Sequence, residues 1–181
     1  MPPARAATGE TSCMSSLLRV GQGFDIHRFS EGRELVLGGV VIKNHPGLLG
    51  HSDADVLCHA VMDALLGAVA AGDIGVHFPD TDPAWKNASS IELLARVAGL
   101  VREHGGTPVN VDATVLAEKP RLAPYREQMC NNLASAIGLP RSAISVKATT
   151  LEGLGPLGAG EGMAAMAVAG VLLATGKGAT K

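Results

Sequence analysis

Asp25, His27 and His59 are the side chains best suited to hold a metal ion. Asp25 and His27 are two positions apart at a predicted strand, and alternate side chains of a strand share a face. His59 stands within an apolar predicted helix. One carboxylate and two imidazoles form a zinc ligand set with a fourth position open for catalysis. The simpler alternatives are an exposed strand end and a core histidine bonded to a carbonyl group.

The start of the helix that contains His59 offers further chemistry. The pattern Ser52-x-x-Asp55 predicts that the helix begins at Ser52. A helix N-terminus attracts phosphate, and His51 just before it could donate to a phosphate oxygen. Asp55 and Asp63 lie one turn on either side of His59 and could orient its free ring nitrogen. Ordinary helix-surface charge is the simpler role for at least one of them.

Two loops have the composition of substrate-binding segments. Asp73-Ile74-Gly75, followed by Phe78–Asp82, places carboxylates between two predicted helices, where they could bind the hydroxyls of a polyol or form solvated turns. Lys147–Gly153 leads from a strand into a Gly-rich loop that resembles a diphosphate cradle, although the chain has no Walker A sequence. Glu152 there could hold a hard cation such as magnesium. A flexible turn is the alternative.

The hydrophobic pattern predicts the elements that position these residues. Helices begin at Ser52, at Ser89 or Ser90, and near Tyr125, and they end at Gly72, Gly105 and Gly138. The predicted strands are Arg19–Asp25, a hairpin from Leu35 to Ile42 that turns at Gly38-Gly39, Val109–Ala117, Ile144–Ala148 and a last strand from Met163 onward. We therefore expect an α/β (α+β) fold, a single domain with helices packed on one face of a mixed β-sheet.

Bulk composition excludes several classes of function. The net charge of −2 and the 3% aromatic content argue against a nucleic-acid partner. The longest apolar stretch, Met163 to Thr175, is too short to span a membrane. Three cysteines without a CxxC pair indicate neither a disulfide framework nor a thiolate zinc site, and favour the cytoplasm. We expect a disordered leader over residues 1–17, a domain over 18–176 and a tail over 177–181.

Four segments in order resemble one family, the 2-C-methyl-D-erythritol 2,4-cyclodiphosphate synthases of the non-mevalonate isoprenoid pathway. Each segment is weak alone, but their order and spacing are highly specific, and the likeness extends from about Leu18 to Thr175. The matching segments are Arg19–His27, His51–Asp55 with His59, Asp73–Gly75 with Phe78–Pro83, and Val146–Thr150 with Glu152.

The resemblance implies a lyase that acts on 4-diphosphocytidyl-2-C-methyl-D-erythritol 2-phosphate and releases CMP. It implies zinc on Asp25, His27 and His59, and magnesium or manganese on Glu152. His51 and Thr150 would stabilise the transition state, and the family's homotrimer would form its active sites between subunits. The resemblance also implies substrate contacts by Ser52 at the 2-phosphate and by Asp73, Ile74 and Gly75 at the ribose. The methylerythritol would be contacted by Phe78, Pro79, Asp80, Thr81 and Asp82, and the cytosine by Ala117, Glu118, Lys119, Pro120, Arg121, Leu122 and Ala123. The residues beside the diphosphate would be Ala148, Thr149, Thr150, Leu151 and Glu152.

The chain departs from the family pattern at a few positions. Leu151 stands where the family often has Thr, and Pro156 and Ala159 stand where it often has an aromatic residue and Arg. Ala54 replaces a common Gly, which is a mild change at a helix start. Two alternative functions use the same residues. A zinc phosphohydrolase would place a metal-bound hydroxide in the open position, and a non-catalytic protein of the same fold would bind the cytidine nucleotide without turnover.

Overall fold

The chain folds as one α+β domain, which a computed structural model describes over residues 16–174. The predicted tail and most of the predicted leader lie outside the described residues. Ser16 and Leu17, the last two residues of the predicted leader, belong to the first strand. The elements are β1 (Ser16–Ser30), β2 (Leu35–Leu37), β3 (Val40–Ile42), β4 (Gly47–Leu48), α1 (Val56–Ala68), α2 (Ile74–His77), α3 (Ser90–Glu103), β5 (Gly106–Leu116), α4 (Arg126–Ile137), β6 (Ile144–Thr149), α5 (Gly155–Gly158) and β7 (Gly162–Ala174).

The main sheet has five strands in the order β4-β1-β7-β5-β6. β7 pairs antiparallel with both β1 and β5, whereas β5 and β6 pair in parallel, so the sheet is mixed as predicted. β2 and β3 form a separate hairpin whose last pair joins Leu37 to Val40. Gly38 and Gly39 make its turn with φ angles of 55° and 67°, a backbone region that glycine adopts without a steric penalty.

Glycines on β1 allow α1 to pack directly on the sheet. A Cβ atom at Gly21 would lie 2.0 Å from the carbonyl oxygen of Ala64, and one at Gly23 would lie 2.0 Å from that of Ala60. No other residue fits at these two positions without moving the helix backbone. The close approach brings His59, one residue before Ala60, next to the end of β1 that carries Asp25 and His27.

The opposite face of the sheet carries no helix in the described chain. Its apolar side chains alternate with inward-facing residues along β1 and β7, as the strand period requires. The exposed side chains are Leu18 (56%), Val20 (63%), Phe24 (50%), Ile26 (52%), Met166 (46%) and Val168 (44%). The prediction that Phe24 and Ile26 point away from Asp25 and His27 is thereby confirmed.

The structure corrects the predicted start of α1. The helix begins at Val56 rather than Ser52, and its N-cap is Asp55, whose carboxylate accepts from the N–H groups of Leu57 and Cys58. Ala54 has a φ of 59° and lies outside the helix. Its replacement of Gly is therefore not a mild change at a helix start, because left-handed backbone costs a residue with a Cβ atom about 1 kcal/mol. No helix among residues 16–174 is long and apolar enough to cross a membrane.

Candidate active site and metal centre

Asp25, His27 and His59 converge at one end of β1. Asp25 Oδ2 lies 3.0 Å from His27 Nε2 and 2.8 Å from His59 Nδ1. His59 Nδ1 is also 3.4 Å from His27 Nε2, and the potential ligand atoms all lie within 4.8 Å of one another. The predicted grouping of these three residues is confirmed. One carboxylate oxygen and two imidazole nitrogens suit zinc, and the half-exposed position of Asp25 and His27 leaves a side open to a further ligand.

The charges within this cluster reinforce one another. Burial disfavours a charged Asp25, but the hydrogen bonds from His27 and His59 outweigh it and hold the pKa of this carboxyl well below its ordinary value. Burial also disfavours an imidazolium at His59, but the hydrogen bond to Asp25 and its negative charge raise the pKa of His59. Without a metal, both shifts favour the charged pair, a carboxylate at Asp25 beside an imidazolium at His59.

The second ring nitrogen of His59 contacts two serines. Nε2 lies 3.0 Å from the hydroxyl of Ser90 and 3.1 Å from that of Ser52. Of the two roles that the sequence analysis left open for Asp55 and Asp63, the structure does not show contact with this nitrogen for either, because Asp55 caps α1 and Asp63 accepts from the N–H of Ile74 at 2.9 Å. Ser90 lies 31 residues from His59 and gave only a helix-start signal, so no local pattern could have revealed the contact.

A pocket of about 480 Å³ opens over the metal cluster. It brings together Asp25, His27 and His59 with His51, Ser52, Ile74, Gly75, Phe78, Pro79 and Asp80, all of which are predicted site residues. Its apolar wall is completed by residues that the sequence analysis did not single out, namely Met62, Trp85 and Leu93. Phe78 and Trp85 meet edge to face with ring centroids 5.1 Å apart. This wall is suited to an apolar part of a ligand rather than to a charged group.

The remaining predicted residues of this loop support the backbone. Asp73 caps α2 by accepting from the N–H of Val76, and Asp82 accepts from the N–H of Ala84 at 2.9 Å. Thr81 is exposed and is not among the pocket residues. The carbonyl oxygen of Asp82 lies 3.3 Å from His51 Nε2. The loop thus packs against the histidine at the mouth of the pocket.

Arg33 holds the backbone on both sides of His51. Its guanidinium group donates to the carbonyl oxygen of Gly50 at 2.8 Å and to that of Ser52. The carbonyl of His51 itself accepts from the N–H of Asn87 at 2.9 Å. A planar guanidinium with several fixed donors is well suited to fix two carbonyls at once. The sequence analysis missed Arg33 because its partners are distant in the chain.

The segments after β5 and β6 form a second region. Leu122, Ala123 and Ala148 line a cleft of about 150 Å³. Ala117 donates from its N–H to the carbonyl of Thr149 at 3.0 Å, and Glu118 accepts from the N–H of Leu151 at 2.8 Å. One backbone–backbone hydrogen bond and one from a backbone N–H to a side chain therefore join the two segments.

The other residues of the second region are more open to solvent. The Thr150 hydroxyl donates to Glu152 Oε1 at 2.6 Å, which leaves the second carboxylate oxygen free for a cation. Glu118 and Lys119 also line a cavity of about 420 Å³ with Phe29, His45 and the turn after α5. Pro120 is half-buried and Arg121 is exposed. None of residues 117–123 or 148–152 lines the pocket over the metal cluster, so the two regions stay apart within one chain.

Comparisons with known proteins agree on one family. The YgbB family matches residues 18–172. The chain is 59% identical over 152 residues to the 2-C-methyl-D-erythritol 2,4-cyclodiphosphate synthase of Geobacillus kaustophilus, covering 84% of this chain and 96% of that one. It superposes on the bifunctional IspDF of Campylobacter jejuni with a TM-score of 0.85 at 45% identity, covering 88% of this chain and 43% of that one. A CDP-bound 2C-methyl-D-erythritol-2,4-cyclodiphosphate synthase gives a TM-score of 0.77 at 38% identity, covering 84% of this chain and 99% of that one.

Proposed function

The chain belongs to the YgbB family, and from this we propose that it is a 2-C-methyl-D-erythritol 2,4-cyclodiphosphate synthase that supplies isoprenoid precursors. The observation that carries the proposal is the convergence of Asp25, His27 and His59 beneath a pocket that also contains His51. The buried free cysteines Cys58 and Cys130 fit a reducing compartment, so we place the reaction in the cytoplasm.

The substrate we propose is 4-diphosphocytidyl-2-C-methyl-D-erythritol 2-phosphate. An oxygen of its 2-phosphate forms a new bond to the β-phosphorus of the same molecule. The bond from the β-phosphorus to the oxygen that bridges it to the α-phosphorus breaks, and CMP leaves with that oxygen. Such a reaction needs little covalent work from the protein, because positioning and neutralisation of charge lower most of the barrier.

The pocket over the metal cluster would bind the reacting phosphates. Asp25, His27 and His59 would hold zinc, which when bound supplies a Lewis acid to the β-phosphate. His51 can donate from Nε2 to a phosphate oxygen, since its contact with the Asp82 carbonyl is long at 3.3 Å. Ser52 would contact the 2-phosphate from the same pocket. The apolar wall would exclude water from the reacting centre.

The loop beside this pocket would bind the polyol and the ribose. Phe78, Pro79 and Asp80 line the pocket and would contact the methylerythritol, with Thr81 and Asp82 extending the contact at its rim. Asp73, Ile74 and Gly75 would meet the ribose. Asp63 holds this segment by accepting from the Ile74 N–H, which supports a fixed rather than a flexible loop.

The second region would bind the cytidine and the leaving diphosphate oxygens. Ala117–Ala123 and Ala148 would surround the cytosine, and Thr149, Thr150 and Leu151 would contact the diphosphate. Glu152 would hold magnesium or manganese across the α- and β-phosphates, a usual arrangement for a single carboxylate with a phosphate ligand. The Thr150 hydroxyl would turn from Glu152 to a phosphate oxygen in the transition state.

The proposal includes a homotrimer whose active sites lie between neighbouring subunits. Within one chain the metal-side pocket and the cytidine-side cleft have no lining residue in common, which supports a site completed by a second subunit. The exposed apolar face of β1 and β7 offers a surface for that subunit. The solved relative that binds CDP supports the nucleotide as a ligand.

A phosphorus NMR assay tests the proposal. The protein loaded with zinc and magnesium is given the cytidine substrate, and we expect signals of a cyclic diphosphate and of CMP. His51→Ala should lower the rate, while the exposed His104→Ala should not. Release of inorganic phosphate would contradict the proposal in favour of a phosphohydrolase. An unchanged substrate spectrum from folded, zinc-loaded protein would contradict it in favour of a binding protein.

A further inference from the structure

We infer that Asp53 and Ser90 are positioning residues that fix the tautomer and the ring orientation of His59, so that Nδ1 faces the metal. Ser90 is completely buried and its hydroxyl lies 3.0 Å from His59 Nε2. The same hydroxyl contacts Asp53 Oδ1, and the Ser90 N–H donates to Asp53 Oδ2 at 2.9 Å. Asp53, Ser90 and His59 therefore form a continuous chain of contacts that ends at the metal cluster.

The number of available protons sets the direction of these hydrogen bonds. A serine hydroxyl has one hydrogen, and an ionised carboxylate can only accept. Asp53 already accepts from two backbone groups, the N–H of Ser90 and the N–H of Asp55 at 3.3 Å. The Ser90 hydrogen goes to Asp53 in this bidentate contact, so the Ser90 oxygen faces Nε2 with lone pairs only. An unprotonated Nε2 would then face that oxygen across 3.0 Å in a buried site, which is unfavourable.

Two partners compete for the single proton of a neutral His59. Asp25 Oδ2, 2.8 Å from Nδ1, favours the tautomer with the proton on Nδ1, which cannot bind a metal through that atom. The Ser90 oxygen favours the tautomer with the proton on Nε2 and leaves the Nδ1 lone pair directed at Asp25 and His27. The Ser52 hydroxyl accepts from the Ala54 N–H, and its own hydrogen can go to the Ser90 oxygen at 3.4 Å, which leaves a lone pair to accept this proton from Nε2 at 3.1 Å. Metal-binding histidines generally donate their other N–H in this way.

The start of α3 shows that the Ser90 hydroxyl can position His59 without also being needed to cap the helix. Ser89 is the N-cap of α3 but makes no capping hydrogen bond with its side chain. The Asp53 carboxylate satisfies the Ser90 N–H in its place, and Ser90→Ala would keep that backbone contact. The Ser90 hydroxyl is therefore not required to start the helix, and its loss isolates the effect on His59.

The test compares Ser90→Ala with the matched control Ser89→Ala. Zinc affinity is measured by competition with a chelator, and the tautomer of His59 by ¹⁵N NMR of the metal-free protein under alkaline conditions in which the imidazole is neutral. We expect Ser90→Ala to bind zinc about 10- to 100-fold more weakly than the wild type. We also expect the His59 proton to shift from Nε2 towards Nδ1. Ser89→Ala should change neither quantity.

The inference rests on the zinc assignment of the proposed function, but the two can fail separately. Wild-type protein that binds no zinc would remove the zinc assignment, while the tautomer measurement, which needs no metal, still decides the inference. The inference about Ser90 would be overturned if Ser90→Ala and Ser89→Ala bound zinc equally tightly, or if the His59 proton stayed on Nε2 in Ser90→Ala. If Ser90→Ala does not fold, a wild-type His59 protonated on Nδ1 would overturn it and protonation on Nε2 would support it.

Discussion

Glu118 Oε1 accepts a hydrogen bond of 2.8 Å from the backbone N–H of Leu151, 33 residues further along the chain. This contact joins the segment after β5 to the loop that carries Thr150 and Glu152. A carboxylate acceptor makes such a bond stronger than a neutral one. The loop proposed to contact the diphosphate is therefore tied to the segment proposed to contact the cytosine.

Glu118→Ala should loosen that loop and lower kcat/KM about tenfold, since a lost hydrogen bond to a charged group costs about 1.5 kcal/mol. Glu118→Gln should retain most of the activity, because its amide oxygen can accept from the same N–H. Steady-state kinetics and calorimetric titration with CDP measure the effect. Glu103→Ala, an exposed acid at the end of α3, is the control. Equal kinetics of Glu118→Ala and this control would contradict the prediction.

His59→Ala should abolish stoichiometric zinc binding and lower turnover at least about a thousandfold, because a Lewis acid contributes several kcal/mol to such a reaction. The fold should remain, since the alanines of α1 and the glycines of β1 still determine the helix packing. Metal content by elemental analysis and circular dichroism test both statements. His104→Ala, outside the pocket, is the matched control. Stoichiometric zinc retained by His59→Ala would exclude the proposed ligand set.

Local sequence patterns predicted the main elements, because these depend on periodicity, and offered Asp25, His27 and His59 as one possible metal site, which the family resemblance then favoured. Asp25 and His27 share a strand face, and His59 follows from the helical spacing of α1 once the helix is known. The start of α1 could not be predicted in the same way. Asp55 is the cap because it also accepts from the N–H of Gly39 at 2.8 Å, and Gly39 belongs to the β2–β3 hairpin. A tertiary contact, which the Ser52-x-x-Asp55 pattern does not include, thus determines where α1 begins.

The contacts of the site that prediction missed are also tertiary. Ser90 reaches His59 because α3 packs against α1, and Arg33 reaches Gly50 and Ser52 because the chain returns after the hairpin. Neither residue type is unusual at its position in the sequence. The pairing of Phe78 with Trp85 likewise depends on a loop whose bends have no periodic pattern. Only the segments with a repeating hydrophobic pattern, or with several chemical groups close in the chain, could be assigned without coordinates.

The metal-free protein should depend on pH through Asp25 and His59. The lowered pKa of Asp25 gives stability that is present above its unfolded value of about 3.9 and is lost as pH falls through the folded pKa. The raised pKa of His59 gives stability that is present below its unfolded value of about 6.5 and is lost as pH rises through the folded pKa. The pair therefore stabilises the metal-free protein most between about pH 4 and pH 6.5.

Asp25→Asn should accordingly lower the Tm of the metal-free protein more at about pH 6 than at about pH 9. The increase in Tm that added zinc gives the wild type should instead grow with pH, because zinc must displace the proton from His59 and therefore binds more tightly as pH rises. Differential scanning fluorimetry across this range, with and without zinc, measures both. If the decrease in Tm caused by Asp25→Asn grew towards alkaline pH, the lowered pKa of Asp25 and the raised pKa of His59 would be contradicted.

Val168→Lys should separate the proposed trimer without disturbing the metal cluster. Val168 is 44% exposed on β7, between Gln22 of β1 and Asp112 of β5 in the strand register, so a lysine there remains solvated in a single chain but becomes buried between subunits. Taking a charge out of water costs several kcal/mol, and three symmetric copies would carry it. Analytical ultracentrifugation should show monomers that bind zinc with little turnover. Val41→Lys, at 43% exposure on the separate β2–β3 hairpin, is the matched control and should keep the mass and the activity of the wild type. A Val168→Lys protein with the mass of a trimer and normal turnover would mean that the subunits meet at another surface, and full turnover by a monomer would mean that one chain holds a complete site.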